Sequence, residues 1–303
     1  SNYNNFVSVV IITYDPTALH VQKTLKVLLK QSYKNFELIL VDSGKKRLST
    51  SVLTTTLQGT TLPHKAIYYH QKEGARFNFS HAYNMGIRQA KGDIIVRISG
   101  DAIPVGTRWL QHCVNLLNLD HVGLVSGMDI ITNQLTLDTY LLSALYDRVR
   151  HMSFQAKKRS VFKNMPLVNG PCMIFWRAIW EENKFNEECL WGEEIEFAAW
   201  AMRREYYLLC DPDIKILHSH RLETKAALRR IGSDLLFAYK TNKIFQEQFL
   251  RSMQSLLKMS IEVPFAQIEK GRQYYIRNGS QKKMRAYLKQ LAIFTRTIDK
   301  LLP

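Results

Sequence analysis

Apolar positions follow two rhythms along the first two thirds of the chain. Continuous, β-branched runs read as strands covered on both faces: "VSVVIITY" (residues 7–14), "FELILVDS" (36–43), "KAIYYH" (65–70) and "DIIVRIS" (93–99). Between them the apolar positions repeat at helical spacing. "TALHVQKTLKVLLKQS" carries Leu19, Leu25, Leu28 and Leu29 on one stripe. "FSHAYNMGIRQAKG" predicts a helix with Ser80 as N-cap and Gly92 as C-cap. "TRWLQHCVNLL" is again helical and "VGLVSGMDI" is a further strand. This alternation predicts an α/β domain, doubly wound around a mostly parallel sheet. Such sheets bind ligands beyond the carboxyl ends of their strands.

The pattern then loosens. The stretch 151–170 reads as a loop with a basic patch, and "EEIEFAAWAMRRE" as a helix opening on two glutamates. "YYLLCDPDIKILHSH" predicts a short strand, a turn and a second strand. From Arg221 onward the chain reads as helices rich in Lys, Arg and aromatics. The expected division is a catalytic domain over 1–220 and a basic helical region over 221–303.

Composition narrows the partners. The 303 residues are 46% hydrophobic, enough for a substantial core, and carry a net charge of +16. Residues 221–303 hold 17 Lys and Arg against 6 Asp and Glu, which places +11 of that charge there. An excess of this size calls for anionic partners: nucleotides, nucleic acid or an acidic membrane surface. The four cysteines, Cys113, Cys172, Cys189 and Cys210, form no CxxC, so neither a zinc knuckle nor a disulfide framework is indicated. Scattered thiols fit a reducing compartment. No secretory leader or membrane-spanning run is evident, and the expected location is cytoplasmic, with peripheral contact at the inner face of the membrane.

The strand ends hold the chemistry. The first strand ends in Thr13-Tyr14-Asp15-Pro16 with no glycine turn, which argues against a dinucleotide cofactor; no Walker A pattern occurs either. The second ends in Asp42-Ser43-Gly44, and Asp42 reads as a cap or as an acceptor for a base or ribose group. The fourth ends in Ser99-Gly100-Asp101 before Pro104, where Asp101 is a turn residue or a metal ligand. Asp15, Asp42 and Asp101 are expected to face one crevice, which with a basic chain suits a nucleotide–metal complex. Glu193-Glu194 either answer the helix dipole or supply a general base. Of His218 and His220, alternate positions on a strand end, one is expected to ligate a metal.

Taken together, "VVIITYDP…LLKQSYKNFELILVDSG", "RFNFSHAYNMGIRQAKGDIIVRISGDAIP", "NGPCMIFWR", "WGEEIEF" and "ILHSH" resemble the family two inverting glycosyltransferases with the GT-A fold. The middle block is most similar to the rhamnosyltransferase-like branch. The resemblance covers about residues 7–220. It implies that Thr13, Tyr14, Asp15 and Asp42 meet the donor base and ribose, with Arg76 and Asn84 near the pyrophosphate or base. Tyr83 stands where relatives commonly carry arginine. Ser99 and Gly100 lead into Asp101, which corresponds to the second acid of the metal motif, while Ser99 stands in place of the first. Asp101 with His218 would hold Mn2+ or Mg2+. Glu193-Glu194 correspond to the family's Glu-Asp pair, with Glu194 as the base. Asn169, Gly170 and Trp191 would border the acceptor, although Trp191 reads equally as a core residue.

The implied partners are a UDP- or dTDP-sugar donor and a glycan or lipid-linked acceptor in bacterial surface polysaccharide synthesis. The basic C-terminal helices would add membrane contact or a homodimer interface. Two other readings stand beside this one: a basic nucleic-acid-binding protein, for which no recognised motif is present, and an inactive GT-A scaffold.

Overall fold

The computed structural model describes residues 3–70, 77–130, 159–163, 168–189 and 192–218. Expectations for Arg76, Trp191, His220 and the region from 221 onward lie outside these residues.

The first four apolar runs form the strands their composition predicts: β1 (Val7–Thr13), β2 (Phe36–Asp42), β3 (His64–Tyr68) and β4 (Ile94–Ser99). They lie parallel in the order β3-β2-β1-β4. Alternate residues of β1, β2 and β4 enter opposite cores. Val7, Val9 and Ile11 pack with α1 (Ala18–Leu29), α2 (Leu48–Leu57) and α4 (Trp109–Leu117). Val10, Ile12 and Ile95 pack with α3 (Phe79–Ile87) and with α6 (Glu193–Met202), the last helix among the described residues. Burial on both faces is why the runs of β1, β2 and β4 are nearly continuous apolar stretches, whereas β3, expected to be covered likewise, is an exposed to half-buried strand at the sheet edge. Each fully buried aliphatic side chain contributes about 1.5–3 kcal/mol of transfer free energy.

Beyond β4 the sheet becomes mixed. β8 (Cys172–Trp176) runs antiparallel to β4 and to β6 (Val122–Ile130), and β9 (Tyr207–Leu217) runs parallel to β6. Short β5 (Ile103–Pro104) and β7 (Ser160–Phe162) pair antiparallel with β9, completing nine strands among the described residues; α5 (Arg177–Glu182) follows β8.

Three local expectations are corrected. α3 is capped by Asn78, whose side chain accepts from the His81 N–H, rather than by Ser80; Ser80 is buried inside the first turn. The helix ends at Arg88, and Gly92 serves a later contact, since a Cβ there would lie 2.5 Å from the Ser8 nitrogen. The turn expected at Asp211-Pro212 is a bulge within one continuous strand. Ser126 pairs with Cys210 but Met128 with Lys215, so β9 gains residues without breaking its ladder.

Register decides where the site lies. Thr13 pairs with Asp42, Asp42 with Tyr68, and Ile12 with Ser99, so four strands finish at one edge. Ile98 pairs with Cys172, which starts antiparallel β8 at that same edge, and the Ser99 N–H donates to the Pro171 carbonyl at 2.9 Å. The Ile103–Leu217 pair brings the end of β9 there as well.

Candidate active site

Asp101 and His218 meet at this edge. His218 Nε2 lies 3.6 Å from Asp101 Oδ1, joining two residues far apart in sequence through the β5–β9 pairing. Asp101 does sit in a turn, closed by the Ala102 N–H on the Ser99 carbonyl. Gly100 is required at this crossing. A Cβ there would stand 2.8 Å from the Ile12 carbonyl oxygen and 2.9 Å from Thr13 Oγ1. Tyr14 is exposed beside the turn; partial burial and the nearby Asp101 carboxylate push its hydroxyl pKa up.

The other strand-end acids are bonded within their own loop. Asp42 is fully buried; its Oδ1 accepts from the Gly44 N–H, and its Oδ2 accepts from both the N–H and hydroxyl of Thr50. Asp15 accepts from the Lys46 and Leu48 N–H groups. The buried Thr13 hydroxyl is shared with Thr17 and Ser49 at 2.6 and 2.8 Å. These side chains shape the loop that opens α2.

Asn84, expected near the donor, is a core bolt. Its Nδ2 donates to the Phe185 carbonyl at 2.8 Å and to Glu187 Oε1 at 2.9 Å. Its Oδ1 accepts from Trp180 Nε1 at 2.8 Å and from the Phe185 N–H at 3.2 Å. An amide has two donor and two acceptor positions, and all four are taken. Glu187 also bonds His81 Nδ1 at 2.7 Å; although partial burial opposes it, the bonds from Asn84 and His81 hold its carboxyl below the usual range.

That bolt fastens the turn leading to α6. Gly192 caps the helix with φ 76°, and Glu193, Glu194 and Glu196 fill its first turn, where acids answer the helix dipole. Glu193 is also ion-paired to Arg97, with Nη2 to Oε1 at 2.5 Å, while Glu194 Oε2 stands 4.0 Å from the same nitrogen. The Arg97 guanidinium lies over the Tyr83 ring, 4.0 Å from its centroid. Burial pushes the Tyr83 hydroxyl up to about 12, with Arg97 opposing. Burial and the adjacent Glu193 raise Glu194 to about 8, again against Arg97. Gly170 leaves room for Glu194, since a Cβ there would lie 2.7 Å from its Oε1. Buried Asn169 precedes it, and its N–H donates to the Ser126 hydroxyl oxygen at 2.8 Å.

Arg97, Glu187 and the bolting role of Asn84 were not anticipated. The one sequence signal was a lone arginine inside the apolar run "DIIVRIS". A second group, His112, Asp211 and Asp213, brings potential metal-ligand atoms within 4.8 Å of one another. Arg159 Nε already occupies Asp211 at 2.7 Å, so this group is an ion-pair network that steadies the β9 bulge.

Comparison with known proteins places this arrangement. Over 99% of the chain, the fold superposes on 88% of a mannosyltransferase from Pyrobaculum calidifontis, solved with GDP-Man and Mn2+, at a TM-score of 0.65 and 17% identity. Over 83% of the chain it superposes on 80% of residues 1–349 of S. aureus TarS, at a TM-score of 0.54 and 14% identity; the same TarS segment has been solved with UDP. These likenesses establish the shared GT-A fold. Among sequence relatives, an uncharacterised glycosyltransferase of Rickettsia typhi is 26% identical over 126 residues, 41% of this chain and 36% of that protein. An uncharacterised protein of Sinorhizobium fredii is 27% identical over 121 residues, 40% of this chain and 13% of that protein. The matches thus span well under half the length of either relative. The description of Glycosyl transferase family 2 matches from residue 8 to residue 183, more than half of the 303 residues, and the chain belongs to that family.

Proposed function

We propose that this glycosyltransferase is metal-dependent and inverting, moving a sugar from a nucleotide-sugar donor to an acceptor hydroxyl. The observation that carries the reading is the meeting of Asp101 and His218 at the strand-end edge. A carboxylate oxygen and an imidazole nitrogen 3.6 Å apart are spaced as two ligands of one ion. Asp101 and His218 would hold Mn2+ or Mg2+, with the donor diphosphate completing the shell. A bound cation would offset charge on the departing nucleoside diphosphate. The Mn2+ and GDP-Man of the Pyrobaculum enzyme support this assignment by analogy.

Glu194 is the base. It opens α6 beside Gly170, and its raised pKa suits a group that takes a proton near neutral pH. It removes the acceptor hydroxyl's proton as that oxygen attacks the anomeric carbon, opposite the leaving diphosphate. One base and one displacement give inversion. Glu194→Gln is expected to abolish transfer while leaving donor affinity within about twofold; an equal loss of donor binding would remove Glu194 from this role.

The donor is a UDP-sugar or a dTDP-sugar such as dTDP-rhamnose, the two standing equally, and the Pyrobaculum enzyme adds GDP-mannose to the panel to be screened. Thermal shift with and without Mn2+ ranks the candidates. Among the described residues no helix is long and apolar enough to cross a membrane. The basic region from Arg221 is assigned to contact with a glycan or lipid-linked acceptor at an anionic membrane face. A chain truncated at Leu222 that still floats with anionic liposomes would overturn this.

A further inference from the structure

Resting on Glu194 as the base, we infer that Arg97 is a positioning residue that makes two adjacent glutamates unequal: Glu193 its fixed counter-ion, Glu194 the proton acceptor.

Arg97 stands on β4, where Ile94, Ile95, Val96 and Ile98 are all apolar and buried. Its side chain is 3% exposed. Strand alternation sends it to the face covered by α3 and α6, where Tyr83 lies 4.0 Å and Phe185 5.0 Å from the guanidinium carbon. Its Nε and Nη1 make no hydrogen bond among the described residues. Unmet buried donors destabilise a fold, so an aliphatic residue would serve packing better here. The structural consequence of the charge lies in the carboxylates.

Glu193 and Glu194 are consecutive and enclosed, and two such groups without a cation would compete for one proton. Arg97 breaks the tie by distance: 2.5 Å to Glu193 and 4.0 Å to Glu194. The glutamate it holds is the deeper one, its side chain 4% exposed. Glu194 is 16% exposed and its carboxylate lies against Gly170. Among the described residues, the charged groups facing Glu194 are Glu193 from its own helix and Arg97 from β4; Tyr83, from α3, reaches it only through Arg97. The β8 approach contributes Gly170, which carries no charge.

The arrangement predicts shifts of opposite sign, which a merely structural role does not produce. The experiment is a pH titration of glutamate side-chain carboxyl signals by 13C NMR on the full chain without substrate, with Glu194 identified by its loss in Glu194→Gln. Glu193→Gln removes the neighbouring anion and leaves Arg97, so the Glu194 midpoint falls by about 1 pH unit or more. Arg97→Met raises it by a similar amount, and Arg97→Lys restores most of the difference. Should Arg97→Met not fold, Arg97→Met/Glu193→Gln removes the stranded carboxylate, and its midpoint should lie above that of Glu193→Gln alone. A Glu194 midpoint unmoved by Glu193→Gln, or moved upward, overturns the inference. The titration needs no turnover, so its outcome is separate from that of the base assignment, which fails only if Glu194→Gln still transfers sugar. Where both hold, the kcat/KM profile of Glu193→Gln shifts to lower pH by the same interval.

Discussion

Replacing Asn84 with alanine separates two readings of that residue. The truncation removes four hydrogen bonds at once, those to Trp180, to both backbone groups of Phe185 and to Glu187. Glu187 is 40% exposed and can turn to water. Trp180 and Phe185 are buried, leaving an indole N–H, a backbone N–H and a carbonyl to be satisfied. Each unmet buried group costs about 1–3 kcal/mol, and a water entering the space vacated by the amide recovers part of that. The net loss should be about 2–5 kcal/mol, a large share of the 5–15 kcal/mol typical of a folded domain. In a domain of this size that lowers Tm by roughly 5–15 °C. The assay is thermal and urea denaturation of both proteins, beside calorimetric titration of the best-binding nucleotide. A Tm unchanged within about 2 °C, together with donor affinity reduced tenfold or more, would refute the bolt and return Asn84 to the donor site.

With Glu194 raised to about 8, kcat/KM should climb roughly 50-fold between pH 6 and pH 8, whereas a glutamate of ordinary pKa would change by only a few per cent; a flat profile removes Glu194 as the base. The same shift bears on stability. The folded chain binds this proton more tightly than the unfolded chain, so stability declines as pH rises from the usual glutamate range toward about 8. Glu194→Gln should therefore raise Tm relative to the parent at pH 8 and change it little at pH 4. Gly170→Ala places a methyl 2.7 Å from Glu194 Oε1, and should cut kcat by roughly 10–100-fold at nearly constant Tm; an unaltered kcat would show that Glu194 has room to yield. Asp101→Ala should abolish the Mn2+-dependent part of nucleotide binding in calorimetry, and undiminished metal dependence would leave Asp101 as a turn residue alone.

Strands were the most legible part of the fold, because runs buried on both faces leave an unbroken apolar signature that needs no tertiary context. Asp101 and His218 were legible as candidates for a related reason: both follow immediately on such runs, and strand ends are where an α/β sheet exposes polar groups. Helix ends were less legible. Asn78 and Ser80 are both good caps, and the choice depends on which lies at the first helical turn once Asn84 has fixed α3 against the 183–187 turn. The Asp211-Pro212 pair reads as a turn locally, yet Arg159 and His112 hold it as a bulge inside β9.

The amino-acid sequence by itself determined the α/β rhythm, the strand-end position of the candidate site and the glutamate pair at a helix start. All three depend on side-chain periodicity and local propensity. Tertiary structure alone decided the partners of each strand-end acid. Asp15 and Asp42 are drawn into their own loop by backbone N–H groups two to 33 residues away, whereas strand pairing between β5 and β9 delivers His218 to Asp101. It also decided that the two glutamates differ. Adjacent in sequence and identical in chemistry, they are separated by the distance of each from one buried guanidinium on another strand.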